Sequence, residues 1–108
     1  MGKNIVYVDE DLKELIPGFL ENRYEDITNL KTALHDKDFE TLRKMGHSIK
    51  GVGGGYGFDY VTELGYNIEE AAKAEDVSNI SKLIDELKDH LDKVEIKYEW
   101  VVLYQNCL

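Results

Sequence analysis

Apolar residues recur along most of this chain at steps of three, four or seven, the period of a helix with one buried face. Leu12, Leu15, Ile16, Phe19, Leu20, Ile27, Leu30 and Leu34 form the first series. Pro17 falls inside it. A proline has no N–H to donate and its ring clashes with the preceding turn, so the pattern predicts a short helical segment from about Asp9 and a long helix starting near Pro17. The polar stretch His35-Asp36-Lys37-Asp38 offers two Asp N-caps, and Phe39, Leu42, Met45, Ile49, Val52 and Tyr56 then make a second series. A third runs through Phe58, Val61, Leu64, Ile68, Ala71 and Ala72. A fourth, capped near Asp76 or Ser78, runs through Val77, Ile80, Leu83, Ile84, Leu87, Leu91 and Val94. The prediction is an all-α fold, an antiparallel four-helix bundle with a short N-terminal helical segment before Pro17.

No strand alternation persists through the middle of the chain, and neither an internal repeat nor a low-complexity linker interrupts it. A single domain over residues 1–108 is expected, with the bundle at about 9–97 and an apolar tail at 98–108. In that tail Trp100-Val101-Val102-Leu103-Tyr104 is aromatic and β-branched. It can continue the fourth helix, pack back on the bundle or associate with another copy, and ordinary packing in a monomer is the expectation.

Composition narrows the function. The chain has 108 residues, with 13 Lys+Arg against 22 Asp+Glu and a formal charge of −9. That length holds one core and no second domain. A content of 43% hydrophobic and 32% charged residues is too apolar for a disordered acidic tail. The negative balance repels phosphate backbones and anionic lipids alike, so a protein partner is expected rather than nucleic acid or a membrane. The one cysteine, Cys107, excludes an intrachain disulfide and a Cys-based zinc site, and fits a reducing compartment. The N-terminus reaches Asp9-Glu10-Asp11 too soon for a secretory signal, and no apolar run approaches the ~18 residues of a membrane span, so a cytoplasmic location is expected.

One stretch departs from this acidic background. Residues 41–60 hold six of the nine glycines and carry Arg43, Lys44 and Lys50 against Asp59 alone, leaving −11 for the remainder. His47 lies within it. On a helical wheel the apolar residues of the second series cluster around Leu42, whereas His47 falls about 140° away, outside the core stripe, with Lys50 as its neighbour and Gly51 one turn on. The imidazole is left uncovered. Each interior glycine costs a helix roughly 1 kcal/mol relative to alanine, so a run such as Gly51, Gly53, Gly54 and Gly55 implies a helix end or a close approach.

His47-Ser48-Ile49-Lys50-Gly51-Val52-Gly53-Gly54-Gly55-Tyr56-Gly57-Phe58 resembles the signature of histidine-containing phosphotransfer (HPt) domains. The resemblance extends to the helix broken by Pro17, the Asp38-Phe39-Glu40 start of the motif helix, Ile68-Glu69-Glu70-Ala71-Ala72 and the closing amphipathic helix. The His-Ser-Ile-Lys-Gly wording is also similar to the phosphoacceptor domain of chemotaxis-type histidine kinases. What this implies is a phosphoryl carrier, not a complete enzyme, exchanging the group between His47 and an aspartate of a response-regulator receiver domain, with a histidine kinase or hybrid kinase as the other partner. By the same resemblance Glu69, 22 residues on, orients the imidazole, and Lys50 balances the phosphoryl charge. Gly51 and Gly54 would face the partner, Gly57 would turn the chain between the second and third helices, and Arg43 and Lys44 would steer an acidic receiver surface. No cofactor of its own is implied, since the Mg²⁺ belongs to the receiver. Two alternatives stand beside this reading: the acceptor domain of a larger chemotaxis-type kinase system, and a helical adaptor that binds a receiver without being phosphorylated.

Other chemistries fit poorly. Lys50 precedes Gly51 instead of closing a Gly-x-x-x-x-Gly run, so no Walker A loop is present. The residues three before His35, His47 and His90 are Thr32, Lys44 and Leu87, so no Glu-x-x-His metal pair exists. His35 and His90 read as solvated.

Overall fold

Pro17 sits in the first turn of the long first helix, where its missing N–H deprives the helix of nothing. In the computed structural model, which describes residues 5–100, that helix, α1, spans Ile16–His35 and is preceded by a 3-10 segment, Glu10–Leu15. Then follow α2 (Phe39–Gly53), a 3-10 turn (Gly54–Tyr56), α3 (Asp59–Lys73) and α4 (Val77–Lys93). The second series therefore ends its α-helix at Gly53 and reaches Tyr56 only through the tighter turn.

The α1–α2 and α3–α4 connections share one design. Lys37 and Glu75 each take a left-handed conformation with φ of 54°. The next residue donates its N–H back five positions, Asp38 to Ala33 and Asp76 to Ala71, closing Schellman motifs that satisfy the last carbonyls of the outgoing helix. The same two aspartates then cap the incoming helices, accepting from the backbone N–H groups of Thr41 and Asn79. The α2–α3 connection instead turns at Gly57, whose φ of 87° suits a residue without Cβ. An added Cβ would also lie 2.8 Å from the Tyr7 carbonyl oxygen.

The helices pack in a ring, each on the next and α4 back on α1, around Leu30, Leu42, Ile49, Phe58, Leu64, Ile68, Ile80, Ile84 and Leu87, all essentially without solvent exposure. Tyr24 of α1 donates a 2.6 Å hydrogen bond to Asp92 of α4. Partial burial and that carboxylate push the tyrosine's pKa up to about 12.

Two features depart from the sequence reading. Ile5–Asp9 (β1) and Glu95–Glu99 (β2) form a two-stranded parallel sheet, pairing Ile5 with Glu95 through Asp9 with Glu99. Val6 and Val8 point inward and join the core. The expectation of a bundle reaching residue 97 thus gives way at Lys93, where Val94 turns extended and the β-branched and aromatic residues of Ile5-Val6-Tyr7-Val8 and Ile96-Lys97-Tyr98 find each other. His90 is likewise not solvated. It lies three residues after Leu87 on the core-facing side of α4, is 4% exposed, and packs edge-on against the rings of Tyr60, 5.0 Å away, and Phe58, 6.3 Å away. Burial pushes its pKa below the ordinary histidine value, against a smaller upward pull from Asp89. Most of the apolar tail, residues 101–108 with Cys107, lies outside the described residues.

Candidate functional site

The site is built by two helices whose backbones touch. A Cβ on Gly46 of α2 would lie 2.6 Å from the Glu69 amide nitrogen, and one on Gly65 of α3 would lie 2.5 Å from that of Lys50. Neither position tolerates a side chain without moving a helix. This close approach brings two side chains together: His47, one residue after Gly46, and Glu69, one turn after Gly65.

His47 Nδ1 is 3.2 Å from Glu69 Oε2. An ionised carboxylate can only accept, so in the neutral ring Nδ1 carries the proton and donates it, leaving the lone pair on Nε2. The histidine side chain is 67% exposed and that of Glu69 only 8%. The carboxylate is therefore a buried anchor and the imidazole presents its free nitrogen outward.

Glu69 has a second partner. Its Oε1 meets Lys50 Nζ at 3.1 Å, an ion pair rather than a well-directed hydrogen bond. The ammonium holds the Glu69 carboxyl below the usual carboxylate range, outweighing the upward push of burial, and His47 adds to the effect. Lys50 is one-third exposed, with its Nζ also 5.5 Å from the centre of the Tyr66 ring.

The remaining predicted positions divide. A Cβ on Gly51 would meet nothing within 4 Å, so the surface over the ring is open. Arg43, one turn before His47, is forked onto Glu40 at 2.6 Å, and Lys44 stands 3.8 Å from the same carboxylate. Gly54 begins the 3-10 turn two turns beyond His47, and a Cβ there would make ordinary 3.5 Å contact with Thr62. The sequence reading missed Gly46, Gly65 and Tyr66. Glycines in the interiors of two helices, at a cost in helix propensity, were the available signal for the close contact. Among the described residues no group of three or more His, Cys, Asp or Glu side chains could hold a metal ion. No helix among them is long and apolar enough to cross a membrane.

A family model for the Hpt domain matches residues 14–96, more than three quarters of the sequence, taking in all of α2, α3 and α4 and nearly all of the first helical region. The chain belongs to the Hpt domain family. Hpt domains are histidine phosphotransfer modules of phosphorelays, phosphocarriers that work with kinases and receiver domains. No curated protein and no solved structure gives a significant match. The Hpt match takes in His47, Lys50 and Glu69 but not β1.

Proposed function

We propose that this protein carries a phosphoryl group on Nε2 of His47, exchanging it with the aspartate of a response-regulator receiver domain and, at the other end, with a histidine kinase or hybrid kinase. The observation that carries the reading is the exposed imidazole held through Nδ1–H by a buried carboxylate. The Nε2 lone pair attacks the phosphorus of the aspartyl phosphate, the N–P bond forms, and the P–O bond to the aspartate breaks with its electrons leaving on the carboxylate. No proton has to move. The ring becomes a cation that keeps its Nδ1 proton, and Glu69 is already in place to stabilise it. Lys50 faces the phosphoryl oxygens, and the open surface at Gly51 admits the receiver's loops. Mg²⁺ enters with the receiver, where it offsets phosphoryl charge. The reverse transfer uses the same groups.

The test is transfer of radiolabelled phosphate from charged receivers, and from autophosphorylated histidine kinases, to the wild-type chain and to His47→Gln. The expected result is label on the wild type alone, acid-labile and base-stable as a phosphoramidate, with receiver binding retained by the variant. A folded wild-type bundle left unlabelled by a broad panel of donors, yet binding receivers, would replace the carrier with an adaptor.

A further inference from the structure

Lys50 is held unlike the other lysines. Each of the other lysine ion pairs among the described residues closes on a carboxylate of the lysine's own element, and those lysines are 49–69% exposed. Lys50 instead reaches across to Glu69 of another helix and is 33% exposed. The carboxylate alone does not account for this. A lysine–carboxylate pair near the surface gains little over the entropy of its long side chains, and Glu69 Oε1 receives no well-directed hydrogen bond from the ammonium. A flexible four-carbon stem needs a second support to keep one place.

Tyr66 supplies it. The contacts that the glycines permit set position 46 of α2 against position 69 of α3 and position 50 against position 65, so the residue after Gly65 stands beside Lys50. The ammonium nitrogen lies over the Tyr66 ring, 5.5 Å from its centre, within the range at which the negative face of an aromatic ring attracts a cation. The core does not use this tyrosine. It is 48% exposed, and its hydroxyl makes no hydrogen bond with another described residue. A ring also differs from a second carboxylate in what it leaves behind. It attracts the ammonium without adding negative charge, so Lys50 is not neutralised further and no new anion stands where a negative phosphoryl group has to arrive.

We propose that Tyr66 is a positioning residue for phosphotransfer: its ring holds the Lys50 ammonium against Glu69, so that the positive charge is in place when the phosphoryl group reaches His47. The inference rests on the reading of His47 as the phosphoryl carrier.

Tyr66→Leu removes the ring and keeps an apolar side chain suited to a helix, so helical circular dichroism should be unchanged. One measurement needs no phosphate. In proton NMR spectra the ε-methylene of Lys50 should be shifted upfield by the ring current in the wild type and in Tyr66→Phe, and should return to the ordinary lysine position in Tyr66→Leu. The other is single-turnover transfer from a charged receiver that labels the wild type. At saturating receiver Tyr66→Leu should slow it about three- to tenfold, the order expected of a partly desolvated cation over a ring, with the half-saturating receiver concentration unchanged. Tyr66→Phe should recover most of that loss, and in a Lys50→Met background Tyr66→Leu should cost nothing more. A ring-current shift absent from the wild type, an undiminished rate in Tyr66→Leu, a loss that Tyr66→Phe does not recover or one that persists without Lys50 would each overturn the proposal. A change confined to half-saturation would overturn it too, and make Tyr66 a receiver contact. If no donor labels the wild type while the ring-current shift is present, the carrier reading itself fails and the contact stands without a role in transfer.

Discussion

Glu69 does two jobs with one carboxylate, and substitution separates them. Glu69→Ala removes the acceptor for Nδ1–H and should slow phosphoryl acceptance by His47 on the order of ten- to a hundredfold, the usual worth of a group that orients a ligating imidazole. Glu69→Gln keeps an acceptor oxygen and loses the charge, so it should fall between the alanine variant and wild type in single-turnover transfer. Equal rates in all three would remove Glu69 from the chemistry. His90 gives a second prediction at this scale, on stability. Its folded pKa is depressed, so below the free-histidine value of about 6.5 the unfolded chain takes up a proton that the folded chain resists. Stability should therefore fall as pH drops through that window and be fully present above it. Urea midpoints at pH 7.5 and 5.5 check this: His90→Gln should lower the midpoint at the higher pH and show a shallower acid loss, whereas parallel losses would assign the effect elsewhere.

Between helices, the decisive residues are glycines with opposite roles. Gly65 on α3 and Gly46 on α2 let two backbones touch, so Gly65→Ala should destabilise the bundle by about 1–3 kcal/mol and slow transfer by moving Glu69 away from His47. Gly51, on the same helix as Gly46, has open space around it, so Gly51→Ala should stabilise by up to about 1 kcal/mol through helix propensity alone. Chemical denaturation of the two variants should thus move in opposite directions. The four helices were legible in the sequence because each repeats its apolar period over three or more turns, and Asp38 and Asp76 announce two of the starts. His47, Lys50 and Glu69 were legible as a motif, and their mutual distances were not, because a spacing of 22 residues says nothing of how closely two helices pack. The strands escaped notice because each has only five residues and its partner lies at the far end of the chain, beyond the reach of any local pattern. His90 was misread for a related cause: its charged neighbours in sequence, Lys88 and Asp89, are exposed, whereas its own ring is buried against Phe58 and Tyr60.

For the molecule as a whole, charge is arranged unevenly, with the basic residues around His47 set in an acidic body. A partner of acidic surface should meet that island by electrostatic steering, so Arg43→Glu combined with Lys44→Glu should lower the association rate with a receiver more than it raises the dissociation rate. Stopped-flow binding at low and high salt checks this, with the gap between wild type and variant closing as salt rises. The ribbon of β1 and β2 has a different kind of consequence. Each of its pairs joins residues ninety positions apart, so in a refolding chain those contacts become cheap only once the bundle has brought the two ends together. It is a latch set last. Val8→Ala, at a fully buried position of β1, should leave the refolding limb of a chevron almost unchanged and steepen the loss of kinetic persistence, so that the lifetime of the folded carrier, rather than the speed of its making, is what the strands govern.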